Sequence, residues 1–233
     1  ATQKHCKSVK NISANTQVHY YKVFHHCLNS AVIDEIITSN PMDKIKNEEK
    51  PKRRRTERAF LTIDELKILS QTDFHNATLK KAFLFSCFCG LRHSDIVALT
   101  WGNLKKGKVG KMELHMTQQK TQEILSLPLS KEALKQLPVR GKVPDTEKVF
   151  KGLISLGRTN EILPKWAAKA GIQKHITFHS ARHTHATMMI TLGADLYTVS
   201  KLLGHTNIQT TQIYAKIVDE SKEKAIDLIP DIT

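Results

Sequence analysis

The sequence contains no long hydrophobic run. No apolar stretch approaches the roughly 18 residues of a membrane-spanning helix, and no signal peptide opens the chain. The four cysteines show no CxxC spacing, so they are interpreted as reduced thiols rather than a disulfide framework. These absences predict a soluble, cytoplasmic protein. The first residue is Ala1 rather than Met, which suggests a trimmed or partial chain.

Acidic residues are scarce as well. The chain has 22 Asp and Glu against 36 Lys and Arg, which gives a net charge of +14 and a pI near 9.6. Such a balance favours a polyanionic partner, and nucleic acid is favoured over a membrane surface because no apolar segment would anchor the chain. With 233 residues, the chain can bury one sizeable core and a smaller unit.

The composition changes abruptly at residues 50–58, where six of nine residues are basic. This stretch contains Pro51 and no apolar periodicity, so it is interpreted as a linker. Before it, residues 13–39 show a helical pattern that is expected to end at Asn40-Pro41.

After the linker, local signals predict several elements. Thr62 and Glu65 form a capping box that should begin a helix reaching to about residue 69. An apolar helix over 79–89 should end at Gly90. Alternation at 112–116 and 125–129 predicts two strands joined as a hairpin, with Lys120 at its tip. Further helices are expected over 159–170, 179–192, 196–203, 207–217 and 221–228. The predicted fold is mainly α with a small antiparallel β-sheet (α+β).

The last third of the chain contains an unusual group of polar residues. His179, Arg182 and His183 lie close together, followed by Gly204-His205 and then Tyr214. Hydrolysing or transferring a phosphodiester requires a nucleophile, stabilisation of the non-bridging oxygens and a proton for the leaving oxygen. Tyrosine, arginine and histidine can supply these functions without a metal, since a guanidinium fork can bind two phosphate oxygens.

Two earlier motifs complete the set. Gly90-Leu91-Arg92 is followed by Asp95, and Lys120 lies in the run Gln118-Gln119-Lys120-Thr121. Together, these motifs resemble the tyrosine recombinase (phage-integrase-like) family, and in particular integrases of bacterial mobile elements. The resemblance covers nearly the whole chain and is most specific over 90–101 and 178–214.

The resemblance implies a role for each motif residue. Tyr214 would be the nucleophile that forms a 3′-phosphotyrosyl link, and Lys120 the general acid for the 5′ oxygen. His179 would accept the tyrosine proton or hold the phosphate, and His205 would donate a hydrogen bond to a transition-state oxygen. Asp95 would hold the site in place, although the family more often has Glu there. The six implied catalytic residues are Arg92, Lys120, His179, Arg182, His205 and Tyr214.

The resemblance also implies domains and partners. Residues 1–49 would be the C-terminal part of a helical core-binding domain, 50–59 a basic linker and 60–233 the catalytic domain. The partner would be double-stranded DNA core sites in the nucleoid, bound without cofactor or metal by a chain that is monomeric when free. Four copies would assemble on DNA through residues 219–233. Expected phosphate contacts are Lys52, Arg53, Arg54, Arg55, Lys105, Lys106, Lys108 and Lys111.

Several alternatives remain open. His179 and His183 have i, i+4 spacing and could share a Zn²⁺, although the sequence shows no HExxH motif and no obvious third ligand. The chain could instead be a non-catalytic DNA-binding module, or a type IB topoisomerase, which uses similar chemistry. Within the resembled family, a chromosome or plasmid resolvase similar to the Xer proteins is the alternative to a mobile-element integrase.

Overall fold

The computed structural model describes residues 12–54, 58–107 and 110–214. The chain divides into two compact units, one up to residue 57 and the other from residue 58 onward. Among the described residues, no helix has both the length and the apolar character needed to cross a membrane. The more detailed assignment to a core-binding domain, a linker and a catalytic domain remains a prediction.

The first unit is built around helix α1, Ala14–Ile33, which begins at the cap Ser13. The helix ends before the predicted residue 39. Asn40 instead caps a separate 3-10 turn, Pro41–Lys44, because its Oδ1 accepts a hydrogen bond from the Met42 amide at 2.9 Å. Its side-chain amide also donates to the Asn29 side chain at 2.6 Å and so ties this turn to α1.

The second unit contains most of the regular structure. Its helices are α2 Ile63–Gln71, α3 Ala77–Cys89, α4 His93–Ala98, α5 Lys131–Lys135, α6 Leu156–Lys169, α7 Phe178–Thr191 and α8 Leu196–Leu203. Its strands are β1 Leu104–Lys106, β2 Met112–Thr117 and β3 Ile124–Pro128. Short 3-10 turns lie at Trp101–Asn103, Ile208–Thr210 and Gln212–Tyr214. The predicted fold class, mainly α with a small antiparallel sheet, is confirmed.

The core of the second unit forms where α3 packs against α7. Helix α3 is apolar on all sides and almost wholly buried, as its sequence predicts. Phe83 of α3 meets Phe178 of α7 and Trp166 of α6 edge to face, with ring centroids 5.9 and 6.0 Å apart. This packing fixes the first turn of α7 against the middle of α3.

Helix α3 ends at Gly90, as predicted, in a left-handed conformation with φ of +72°. A Cβ at this position would lie 2.8 Å from Leu203 of α8 and 2.9 Å from His185 of α7. Only glycine therefore suits both the backbone conformation and the space. The chain turns sharply here and places Arg92 next to α7 and α8.

The sheet has the order β1-β2-β3, and both pairs are antiparallel. Leu114 lies opposite Leu104 on one side and Leu127 on the other, so the alternating leucines face the core. The hairpin of β2 and β3 is confirmed, and the exposed Lys120 lies in its turn. Strand β1 and the short helices α4 and α5 were not predicted, because three to six residues carry too little periodicity.

The predicted helix over 207–217 is wrong in its described part. Two 3-10 turns occupy this segment, and the first is capped by Asn207, whose Oδ1 accepts from the Gln209 amide at 2.8 Å. Its β-branched residues, including Thr210 and Thr211, lower the helix propensity of the segment. Residues 215–217, the predicted helix 221–228 and the proposed assembly segment 219–233 lie outside the described residues.

Candidate active site

Helix α7 carries three of the polar residues singled out in the sequence. At its start, the Thr177 amide donates to Ser180 Oγ at 3.0 Å and the Phe178 amide donates to Asn160 Oδ1 at 2.9 Å. These bonds satisfy amides that the helix itself leaves unpaired. His179 is exposed on the first turn, whereas Arg182 and His183 are buried. The helix therefore presents an imidazole to solvent directly above a buried guanidinium.

Arg182 is held by the ends of two other helices. Its Nη1 donates to the Gly90 carbonyl at 2.8 Å, and its Nη2 donates to the Leu203 carbonyl at 2.7 Å. Carbonyls at helix C-termini carry partial negative charge, so they stabilise a cation there. Burial, and secondarily the charge of Arg92, lowers the pKa of Arg182 to about 10, which leaves it charged at neutral pH.

Arg92 is tied to the same place through Gln118, a residue that sequence reasoning missed. Arg92 Nη1 donates to Gln118 Oε1 at 3.0 Å, and Gln118 Nε2 donates to the Leu203 carbonyl at 3.2 Å. Gln118 is fully buried, and a Cβ at Gly204 would lie 2.8 Å from its Oε1. One amide side chain and one carbonyl thus connect both arginines. Nothing in the sequence distinguishes Gln118 from an ordinary turn residue.

Asp95 is fully buried in α4 and joins Arg92 to the hairpin. Its Oδ2 accepts from the Arg92 amide at 3.2 Å and lies 3.9 Å from Arg92 Nη1, while its Oδ1 accepts from the Gln119 amide at 2.9 Å. The sequence left the partner of this carboxylate open, and the structure identifies Arg92 and the turn of the hairpin. The side chain of Asp is long enough for both contacts.

Lys120 lies one residue beyond that anchor, in the exposed turn between β2 and β3. Partial burial of His179, followed by the charges of Arg182, Arg58, Arg92 and Lys120, lowers the pKa of His179 to about 4. The ammonium of Lys120 is therefore within electrostatic reach of His179. The hairpin thus places the exposed Lys120, the predicted general acid, where its charge acts on His179.

His205 follows Gly204, whose φ of +62° ends α8. Its Nδ1 pairs with Thr211 Oγ1 at 2.8 Å, and its backbone amide donates to the Ser200 carbonyl at 3.0 Å. Burial, and then the charges of Arg182 and Arg92, lowers the pKa of His205 to about 4. At neutral pH its ring is uncharged and still carries one N–H for donation.

Tyr214 is buried against α7, where its hydroxyl lies 2.5 Å from His183 Nδ1. The rings of His179 and His183 are 4.7 Å apart and nearly perpendicular. Burial raises the pKa of Tyr214 to about 12 against the opposing charges of Arg182 and Arg58. The Tyr214 hydroxyl therefore contacts His183 and not His179. From the sequence, His183 was interpreted only as a possible zinc ligand.

Arg58 is a further cation that the sequence did not assign to the site. It was counted in the basic linker, but it begins the second unit, and its charge lowers the pKa of His179, His183 and His205 after the larger effect of burial. Three residues later, the Leu61 amide donates to Thr184 Oγ1 on α7 at 2.9 Å. This bond holds the entering chain beside the site.

The zinc alternative finds no further support. Within residues 12–54, 58–107 and 110–214, no group of three or more His, Cys, Asp or Glu side chains could hold a metal ion. His183 uses its Nδ1 for Tyr214 instead.

The expected DNA contacts are spread over both units. Lys105, Lys106 and Lys111 are exposed beside the sheet, and Lys52, Arg53 and Arg54 are exposed in the first unit. Lys108 and Arg55 lie outside the described residues. The structure therefore shows six of these eight side chains, all available to a partner.

Comparison with known proteins gives a consistent result. The model of the phage integrase family matches residues 59–221. A tyrosine recombinase of Pseudothermotoga lettingae is 30% identical over 199 residues, which cover 84% of this chain and 68% of the relative. The tyrosine recombinase XerC of Caldanaerobacter subterraneus is 30% identical over 207 residues, which cover 84% of this chain and 57% of that relative.

Solved structures show the same fold. The integrase of transposon Tn1549, in complex with circular intermediate DNA, superposes with a TM-score of 0.67 at 18% identity, over 88% of this chain and 76% of that one.

Proposed function

We infer that this chain, which belongs to the phage integrase family of tyrosine recombinases, cleaves and rejoins DNA at specific sites through a covalent 3′-phosphotyrosyl intermediate. One observation carries this inference. The hydroxyl of Tyr214 contacts His183 of α7, and the charge of the adjacent, buried Arg182 acts on the phenol. Arg182 shares the Leu203 carbonyl with Gln118, which in turn binds Arg92. A phenol among guanidinium groups is suited to attack a phosphodiester.

In the proposed cleavage step, the Tyr214 oxygen attacks the scissile phosphorus as the bond to the 5′ oxygen breaks. As the new bond forms, the phenolic proton passes to water, and Lys120 gives a proton to the departing 5′ oxygen. Arg92 and Arg182 bind the non-bridging oxygens, where negative charge is largest in the transition state. His205 donates its N–H to one of these oxygens.

His179 fits the role of a phosphate ligand better than that of the proton acceptor. It is exposed at the N-terminus of α7, where the helix amides add positive potential, and its ring is neutral at pH 7. A neutral imidazole there can donate one hydrogen bond to the phosphate. The contact with the Tyr214 hydroxyl belongs to His183.

The rejoining step reverses these roles. The 5′ hydroxyl of a partner strand attacks the phosphorus of the phosphotyrosyl link and gives its proton to Lys120. The bond to the Tyr214 oxygen breaks, and the phenolate takes a proton from water. Because the link keeps the energy of the phosphodiester, the reaction requires no ATP, and the arginines take the role that a metal ion has in other nucleases.

We further propose that the substrate is a pair of double-stranded core sites of a mobile element, acted on in the cytoplasm at the nucleoid. The likeness to the DNA-bound Tn1549 integrase supports this proposal. A resolvase role is the alternative, because a similar relative is named XerC. A DNA-binding module without catalysis is the second alternative, and it would give no role to the arrangement of Tyr214, Arg92 and Arg182. Assembly of four copies through residues 219–233 remains a prediction.

A trapping experiment tests the proposed chemistry. A core-site duplex, located by footprinting and nicked within the site, should trap a protein–DNA adduct that survives denaturant in the presence of EDTA. Tyr214→Phe should abolish the adduct, while Tyr197→Phe, which changes an exposed tyrosine, should leave it intact. An adduct that requires Mg²⁺, or that still forms in Tyr214→Phe, would contradict the proposal.

A further inference from the structure

The contact between His183 and Tyr214 joins two separate parts of the second unit. His183 lies on the second turn of α7, and Tyr214 ends the 3-10 turn Gln212–Tyr214 that follows α8. His183 Nδ1 and the Tyr214 hydroxyl lie 2.5 Å apart. Both residues are almost completely buried, with 4% and 6% of their surfaces exposed. A buried hydroxyl that loses its partner is costly, so this bond strongly selects the position of the phenol.

We propose that His183 is the positioning residue of the nucleophile: its neutral imidazole accepts the hydrogen bond of the Tyr214 hydroxyl and seats that oxygen beside the catalytic cations of the same chain. The inference rests on the proposed function, since it assumes that Tyr214 is the attacking group. His183 thus has a role different from that of His179, which is proposed to bind the phosphate.

The direction of the hydrogen bond follows from the charges around it. Burial, and then His179, Arg58, Arg182 and His205, lowers the pKa of His183 to about 3, so its ring is neutral. The pKa of Tyr214 is raised to about 12, so the phenol keeps its proton. The hydroxyl therefore donates to Nδ1, and the ring proton of His183 is on Nε2. Such a weak base orients the phenol and does not ionise it.

The geometry gives the bond its value for catalysis. Arg182 precedes His183 on the same turn of α7, and the His179 ring lies 4.7 Å from the His183 ring. A tyrosine held by His183 is thus placed next to the residues that would bind the phosphate. Orientation of a nucleophile in this way lowers the barrier to attack, because less freedom is lost in the transition state.

Two substitutions separate the hydrogen bond from other roles of the ring. His183→Asn keeps a carbonyl acceptor near the position of Nδ1 but cannot act as a base, and His183→Leu keeps volume without an acceptor. With the nicked core-site duplex, His183→Asn should form adduct within about threefold of the parent rate, and His183→Leu about tenfold more slowly. DNA affinity, measured by gel shift, should stay within about twofold for both, because the phosphate ligands are unchanged.

Other outcomes would overturn the proposal. A His183→Leu protein that cleaves as fast as the parent, or faster, would show that the contact is inert or restrains the nucleophile. A His183→Asn protein as slow as His183→Leu would show that the acceptor is not the property that matters, and that the ring acts as a base.

A stability measurement without DNA makes the test independent of cleavage. His183→Leu should lower the Tm by about 2–4 °C in the parent and by clearly less in the Tyr214→Phe background, since no hydroxyl is then left unpaired. Equal losses in the two backgrounds would show that the contact does not form and would overturn the inference. If the parent forms no adduct but the coupling is present, the proposed function fails while the contact stands.

Discussion

The histidines around the two arginines are held neutral. The pKa of His183 is lowered to about 3, and those of His179, His185 and His205 to about 4, in each case first by burial. Imidazoles beside buried guanidinium groups cannot gain a second positive charge cheaply. The positive charge of the site therefore comes from arginine and lysine, while the neutral rings of His183 and His205 make hydrogen bonds.

This arrangement predicts that the fold is sensitive to acid. A histidine whose pKa is about 3 to 4 in the folded state and about 6.5 unfolded binds its proton mainly in the unfolded state between these values. The free energy of unfolding should then fall as the pH drops from 7 towards 4, and recover above 6.5. For the buried His183 and His185, the loss by pH 5 is on the order of 1–2 kcal/mol each.

His185→Leu isolates one part of this effect. His185 is buried, its ring nitrogens have no hydrogen-bond partner among the described residues, and it takes no part in the proposed chemistry. Burial lowers its pKa, and the nearby Cys87 backbone opposes this lowering. Urea unfolding at pH 7 and pH 5 should show a smaller loss in His185→Leu than in the parent. The same change at the exposed His175 is the control, and an unchanged loss in His185→Leu would refute the explanation.

At the scale of single residues, the sequence predicted the members of recognisable motifs but not the residues that hold those members in position. Arg92, Arg182 and Tyr214 stand in motifs whose spacing is distinctive, and the structure brings all three together. Gln118 and His183 were missed as contributors because their partners lie 26 and 31 residues away in the chain. Local spacing carries no information on such contacts.

At the scale of elements, the site is assembled from the ends of helices and one hairpin. The C-termini of α3 and α8 supply the carbonyls of Gly90 and Leu203 that hold Arg182. The hairpin supplies Gln118, which is buried and fixes Arg92, and Lys120, which is exposed. We therefore expect Gln118 to act through Arg92 on the non-bridging oxygens of the scissile phosphate, and Lys120 to act on its departing 5′ oxygen.

This difference can be measured with a substrate whose 5′ oxygen is replaced by sulfur. A thiolate leaves without a proton, so Lys120→Ala should be slow on the ordinary site and nearly normal on the sulfur-containing one. Gln118→Met, which keeps volume but frees Arg92, should be slowed about tenfold on both, because binding of the non-bridging oxygens is impaired in either case.

Each outcome separates the two roles. Equal defects of Lys120→Ala on both substrates would show that Lys120 is only a solvated charge. Rescue of Gln118→Met by sulfur would show that Gln118 acts through the turn of Lys120 and not through Arg92. Circular dichroism of both variants checks that the hairpin is retained.

The elements that the sequence predicted are those with strong local signals. The capping box at Thr62, the stop at Gly90 and the alternation of β2 and β3 were confirmed, because each depends on neighbours within a few residues. The 3-10 turns before Tyr214 were taken for a helix, since their apolar spacing is helical while Asn207 and His205 bond locally instead. These short-range side-chain bonds outweighed the periodicity there.

For the whole molecule, charge dominates the expected interaction with DNA. The net charge is +14, and exposed basic residues occur in both units. We expect DNA affinity to fall steeply with salt, because each phosphate contact releases a counterion. Replacing Arg53, Arg54 and Arg55 by Gln should reduce the slope of log K against log salt by about one to three units.

The control removes the same charge elsewhere. Replacing the exposed Lys131, Lys142 and Lys169 by Gln lowers the net charge equally but leaves the basic run intact. Fluorescence anisotropy at several salt concentrations should then give a slope close to that of the parent. If the variant changed at 53–55 had the same slope as the control, the run at 53–55 would be only a solvated linker.

The contact of Tyr214 with α7 also has a consequence for the order in which the protein is synthesised. The arginine at 92 emerges from the ribosome far ahead of Arg182, and the phenol follows more than 30 residues later still. Under the proposed function, a nascent or prematurely terminated chain would carry the basic surfaces and both guanidinium groups but lack the proposed nucleophile. We therefore expect a chain that ends before Tyr214 to be unable to cleave DNA, even where it still binds DNA.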